Sequence, residues 1–367
     1  MKERILKAPK IVTVIVAVIV IAVFFGASDL AVLLMTKAGM PELSGYGSTM
    51  VAEFISGLIA FLLLLLFGYR SILREKGKGF LAGLYIGGFL TGYCCLDLVA
   101  QLYVQILDGN TQIVSAVNIL YFVITMFLIG WTEELVFRGL VLNLFLDRFS
   151  KTKKGILSAV VLSGVMFGAV HLTNAFHGIS LQSAAVQAVN AALLGVIFGA
   201  VYARSRNIWL VIMFHAMVDF AGLLGSGLFG NGSTADQINQ MSAANLVAVP
   251  VLLIPCVILL RPGKLAELEM EANRIVVFAT QKEAEKDAFV SLILGALSFM
   301  FCFSGYGIGL AIVGIIAGIQ SRKTKPEQNG VALAGVILSV VGLIIGIIGA
   351  VGFSILLQNQ FFRDILF

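Results

Sequence analysis

Two adjacent glutamates and an arginine are the first residues in this chain that could do chemistry. They lie in Trp131-Thr132-Glu133-Glu134-Leu135-Val136-Phe137-Arg138, inside a long apolar run. On a helix Glu134 and Arg138 are four apart and share a face, so an ion pair can hold Glu134 charged. Glu133 points about 100° away and has no partner on its own helix. Two carboxylates in different surroundings can divide the roles of acid and base. Of three histidines, two fall in later apolar runs: His171 closes Phe167-x-x-x-His171, and His215 opens His215-x-x-x-Asp219, again on one helix face. Carboxylate and imidazole together suit general acid–base work, and fixed donors beside them suit an oxyanion.

The setting sharpens this. Hydrophobic residues make up 59% of the chain, charged residues 12%, and the mean hydropathy is +1.00. A soluble domain carries about twice that share of charge. The apolar runs are long enough to cross a bilayer, which takes about 20 helical residues. An ionisable group there costs several kcal/mol unless paired, so each is a functional candidate by default. Glu53, Asp97, Asp29 and Asn190 read as packing or register residues, and His177 as a solvated loop residue. Cys94, Cys95, Cys256 and Cys302 sit in apolar runs without zinc spacing and read as packing. The net charge of +5 is spread over short loops, which argues against nucleic acid and for membrane orientation and anionic headgroups.

The expected fold is all-α, a polytopic transmembrane helix bundle with an eight-span core, residues 1–263. Its spans are Ile11–Met35, Met50–Phe67, Phe80–Leu107, Val114–Phe145, Gly155–Thr173, Leu181–Ala203, Ile208–Leu228 and Ala244–Leu260. Lys and Arg cluster before the first span and after the second, fourth, sixth and eighth, which puts the N-terminus in the cytoplasm. Residues 264–287, rich in Glu, Lys and Ala, form a cytoplasmic linker. Residues 288–367 form a Gly-rich membrane domain: Ala288–Gln320 is too long for one span and turns at Ser304-Gly305-Tyr306-Gly307, and Val331–Leu357 follows. Its small-xxx-small spacings suit close helix packing.

Depth tests whether the polar residues can meet. Glu134 lies 13 residues before Asp147, roughly 20 Å, and His171 lies 16 after Gly155, roughly 24 Å. His215 is only 8 residues beyond Asn207, roughly 12 Å, and reaches the others only if span seven starts deeper or the helices tilt.

In order and spacing, Glu133-Glu134-x-x-x-Arg138, Phe167-x-x-x-His171 and His215-x-x-x-Asp219 are similar to the CPBP family, that of CAAX prenyl endopeptidases and bacteriocin-processing or self-immunity proteins. The match spans roughly residues 80–230; the tail resembles a Gly-rich membrane domain appended to many bacterial proteins. The resemblance implies a glutamate-dependent intramembrane endopeptidase in a bacterial cell membrane, acting on a membrane-associated peptide or protein and needing no cofactor or metal. Glu133 with His171 would hold and deprotonate the attacking water. Glu134 with Arg138 would shape the site, and His215 with residue 219 would stabilise the oxyanion. The prenyl-processing branch typically has Asn at that last position, although members with Asp are not unusual. Asp219 must therefore be protonated to donate, or else orient His215.

Two rival readings stand beside this one. Glu133, His171 and His215 could converge on zinc, although no HExxH is present. The polar core could instead be structural, in a membrane scaffold, bacteriocin-immunity factor or transporter.

Overall fold

The computed structural model describes residues 5–272 apart from 6, 40–41, 76, 108, 110–111 and 150–151, then 288–298 apart from 289 and 297, 305–324 and 329–358. Every regular element among them is helical, as a bilayer demands: without water, each backbone N–H and C=O must be bonded within its own segment. The long helices are α1 (Lys10–Lys37), α2 (Gly47–Leu66), α3 (Gly88–Leu107), α4 (Ala116–Glu134), α5 (Lys153–Val170), α6 (Leu181–Ser205) and α7 (Ile208–Gly222). After them come α8 (Ala248–Leu259), α9 (Pro262–Ala272), α10 (Gly305–Thr324) and α11 (Asn329–Gln358). Seven helices among the described residues are long and apolar enough to cross a membrane, and the pair Ala243–Leu259 and Pro262–Met270, bent by 46°, is an eighth candidate.

The chain folds as two compact units. The first comprises Met1–Lys78, Val114–Ala216 and Ser226–Val276; the second comprises Gly79–Ile113, Met217–Gly225 and Val277–Phe367.

In the first unit α1 packs on α2, α2 on α4, α5 on α6, and α6 on α8. The α5–α6 contact is close because small residues face each other. Gly164 meets Val196 and Ala192, Gly168 meets Ala188 and Ala192, and Gly195 returns against Gly164. A Cβ at Gly168 would collide with the Ala188 carbonyl, which is backbone and cannot step aside. Gly168→Val should therefore lower the melting temperature of the detergent-solubilised protein, by overpacking worth about 1–3 kcal/mol. An unchanged melting curve would show that the two helices are not held this closely.

Span four is continuous but not uniform. Beyond Glu134 the helix widens into a π-helical stretch, Leu135–Leu142, and then returns to α-helix over Asn143–Phe149. All eight π-helical residues are buried. Span seven is shorter than a single run from Ile208 to Leu228. Helix α7 ends at Gly222, and a short helix, Leu224–Phe229, follows the break. Gly222, Gly225 and Gly227 fall within six residues and weaken the helix there. Gly227 also lies flat against the Phe122 ring, where no side chain would fit.

Helix α9 occupies the first part of the expected linker. Leu265 and Leu268 are buried, and the Glu269 carboxylate accepts a hydrogen bond from Lys153 N at the start of α5. Residues 273–287 of that linker lie outside the described residues.

In the second unit the expected third span divides. A short helix, Phe80–Ile86, precedes α3, and the chain breaks at Gly87 so that Gly88 sits directly against Val313 of α10. Ser291 Oγ donates to Gly314 O at 2.7 Å. Gly318 lies beside Ser291 and Gly314 beside Leu294, so these two stretches run antiparallel. Of the expected turn Ser304-Gly305-Tyr306-Gly307, the last three residues form the start of helix α10, while Ser304 lies outside the described residues, as does Cys302.

Candidate active site

The site is built where α4 and α7 come closest. Gly130 has no side chain, and a Cβ there would press on Ile212 O and Ala216 N of α7. Beside it Trp131 and Trp209 pack with ring centroids 5.2 Å apart, and Trp209 Nε1 donates to Leu73 O at 3.0 Å. This close crossing delivers His215 to the glutamates. His215 Nδ1 lies 2.7 Å from Glu134 Oε1, and its Nε2 lies 3.6 Å from Glu133 Oε2. A carboxylate only accepts, so Nδ1 carries the hydrogen in that contact. His215 is thus wedged between two carboxylates that the sequence puts on different faces of one helix.

Arg138 supports the same oxygen from the other side. Its Nη1 donates to Glu134 Oε1 at 2.8 Å and its Nη2 to Gly195 O at 3.0 Å. The guanidinium also lies over the rings of Phe167, at 4.6 Å, and Phe198, at 5.3 Å. Aromatic faces attract a desolvated cation, by about 2 kcal/mol in favourable cases. Phe198 stacks on His215 with an interplanar angle of 20°. Exposure separates the members of the group: the side chains of Glu134 and Arg138 are 0% exposed and His215 6%, while Glu133 retains 23%. Glu133 is the least buried member of the group.

The ring of Phe167 joins the third motif to this group. It packs edge-on against His171 at 4.9 Å and against His215 at 5.7 Å. His171 ends α5, and its Nδ1 meets Phe167 O at 2.8 Å. A carbonyl cannot donate, so Nδ1 is the protonated nitrogen and Nε2 carries the lone pair of the neutral ring.

The depth of His215 follows from where span seven begins. Arg206 turns the chain with a left-handed backbone (φ 52°), and its Nη1 donates to Asn143 Oδ1 at 3.2 Å. Asn143 Nδ2 also donates to the Tyr202 hydroxyl at 2.8 Å. Span seven therefore starts level with Asn143 rather than with Asp147. Asn143 lies 9 residues after Glu134 and Asn207 lies 8 before His215, so the two counts nearly agree.

The residues of this cluster fall within a stretch of the chain that matches a known family. Residues 115–221 match the family model for the Type II CAAX prenyl endopeptidase, Rce1-like. The CAAX endopeptidase match runs from the start of span four to the end of α7 and takes in all three motifs. No curated protein matches the chain, and no solved structure matches it.

Within the matched stretch, Asp219 sits one helical turn beyond His215 on α7. In the second unit the Cys94 thiol is within electrostatic reach of both Asp97 and Asp219, and Asp97 is hydrogen-bonded to Gln101 one turn along α3. The Glu53 carbonyl accepts from Thr132 Oγ1 at 3.2 Å, tying α2 to α4 beside the glutamates. Asp29 and His177 are exposed. Among the described residues no three His, Cys, Asp or Glu side chains are grouped to hold a metal ion. A cavity of about 450 Å³ lined by Tyr46, Thr49, Asn118, Ser226 and Thr234 lies far from this chemistry, Asn118 being 15 residues before Glu133.

Four contributors carry no motif in the sequence: the Phe198 ring, the Gly195 carbonyl, Asn143 and Tyr202. Phe198 is one of 27 phenylalanines and nothing in its spacing marks it. Asn143 was the visible one, a polar amide in an apolar run five residues past Arg138.

Proposed function

We propose that the protein is an intramembrane endopeptidase that hydrolyses a peptide bond of a membrane-associated peptide or protein with a glutamate-activated water. The observation that carries this reading is His215 held by Glu134 so that its other nitrogen faces Glu133, the one partly exposed carboxylate of the cluster. At 3.6 Å, Glu133 Oε2 and His215 Nε2 are neighbours beyond the length of a direct hydrogen bond.

Charge balance defines the working state. Glu133 and Glu134 as carboxylates, Arg138 as guanidinium and His215 as imidazolium sum to zero, which is the arrangement a buried site tolerates. In that state Glu133 is a base and His215 Nε2 a donor. Glu133 takes a proton from water as the water oxygen bonds to the scissile carbonyl carbon, and the carbonyl π electrons move to its oxygen. His215 Nε2–H stabilises that oxyanion. The tetrahedral intermediate collapses, the C–N bond breaks, and the proton held by Glu133 passes to the leaving amine. His171, with its lone pair on Nε2, is the second group to hold the water. Arg138 keeps Glu134 charged, and Glu134 keeps His215 protonated and aimed.

The family match makes a prenylated C-terminal peptide the first substrate to try. Purified protein in lipid nanodiscs should cleave a farnesylated fluorogenic peptide, with the rate unchanged by a strong chelator. Loss of cleavage with chelator and recovery with zinc would turn the reading to a metalloprotease. No hydrolysis of either a prenylated or an unprenylated membrane-anchored peptide would leave the scaffold reading. Asp219 acts by donation through a protonated oxygen, as the family's amide does. Asp219→Asn should therefore retain cleavage within about tenfold, while Asp219→Leu loses about 10²–10³-fold, the effect of removing one oxyanion donor. Equal activities in the two variants would remove Asp219 from the site.

A further inference from the structure

The π-helical stretch after Glu134 has carbonyls pointing at side chains rather than only along the helix. Ser163 Oγ donates to Phe137 O at 3.2 Å. Asn143 Nδ2 donates to Arg138 O and Gly139 O, each at 2.9 Å, and to the Tyr202 hydroxyl at 2.8 Å. One amide hydrogen is thus shared between two carbonyls and the other goes to Tyr202. Asn143 Oδ1 accepts from Arg206, whose Nη2 in turn pairs with Glu75 at 3.2 Å. The Asn143 residue is 3% exposed, and both ends of its amide are used.

We infer that Asn143 is a positioning residue of the catalytic cluster: one amide holds the π-helical backbone that carries Arg138 and, through Arg206, the starting depth of the helix that carries His215. The two ends of the Glu134–His215 contact come from different helices, and Asn143 bonds to the backbone or the root of each. A leucine at 143 fills the same space and makes none of these bonds. The Arg138 and Gly139 carbonyls then lose their side-chain donor, Tyr202 loses its acceptor role, and Arg206 no longer fixes where span seven begins. A register change of 1 Å at that point moves His215 Nδ1 out of hydrogen-bond range of Glu134, and misplacement on that scale costs about 10²-fold in rate. No comparable effect on substrate capture is expected, because Asn143 is buried away from the exposed edge of Glu133.

This inference rests on the peptidase reading for its rate but not for its geometry, so two measurements are paired. With three histidines in the chain, ¹⁵N-imidazole spectra of the nanodisc protein are assignable, the His215 signals being those lost in His215→Gln. In Asn143→Leu the His215 nitrogens should move from carboxylate-bonded positions to those of an unpartnered ring, with the His177 signals unmoved. Cleavage of the farnesylated peptide by the same folded protein should show kcat lowered about 10²-fold with KM within twofold. Arg206→Gln, at a partly exposed site that tolerates change, should move the same His215 signals in the same direction and lower kcat about tenfold. His215 signals identical to those of the unaltered protein in both variants would overturn the inference, whatever the rate. Shifted signals in a protein that cleaves no peptide would uphold the positioning role and remove the peptidase reading instead.

Discussion

Glu133→Gln should leave a normally folded protein whose peptide hydrolysis is about 10³-fold slower. A glutamine has the shape of glutamate and no capacity to take the proton of an attacking water, and loss of a general base costs about 10²–10⁴-fold. The structure gives reason to expect little structural damage. Glu133 meets His215 only at 3.6 Å, and the ion pair that stabilises the cluster runs from Arg138 to Glu134. The effect should fall on kcat, since a group that acts by proton transfer contributes in the transition state. Rate measurements on monodisperse protein, with its melting curve beside that of the unaltered chain, decide the matter. A variant that cleaves at the original rate would show that Glu133 is not the base.

Arg138→Met should act in the opposite way, through stability. Arg138 and Glu134 are both fully buried, and Glu134 Oε1 takes its hydrogen bonds from Arg138 Nη1 and His215 Nδ1. Removing the guanidinium leaves a buried carboxylate beside Glu133 with one cation fewer, and breaking a buried ion pair from one side costs about 3–5 kcal/mol. The loss of contact with Phe167 and Phe198 adds to it. The expected result is a much lower melting temperature in detergent or no recoverable folded protein. Adding Glu134→Gln to Arg138→Met should restore part of that stability by removing the uncompensated charge, without restoring cleavage. An Arg138→Met protein as stable as the original would mean that the pair is not buried as described.

The membrane character and the helical class were legible because they are sums over many residues: runs of Leu, Ile, Val and Phe near 20 residues long can satisfy their backbone in a bilayer in only one common way. The pairing of Glu134 with Arg138 was legible because it lies within one turn of one helix, and helix geometry alone puts the two side chains together. The breaks in spans three and seven were not. The first lies beside Gly88, which packs on Val313, and the helix after the second packs Gly227 on Phe122; neighbours across helices are a property of packing.

The two adjacent glutamates, Glu133 and Glu134, mark the same division. Their adjacency, their separate faces and the charge partner of Glu134 were determined by the sequence itself, through the 100° step of the helix. Which histidine meets them was decided only in three dimensions. Counting residues from the loops left His215 about 8 Å short of Glu134. The fold removes that difference by starting span seven at Asn143 through the Arg206 bond, and by bringing α7 onto the bare backbone at Gly130. A periodicity fixes the direction of a side chain on its own helix, but the height of one helix against another is set by the few side chains that bond across them.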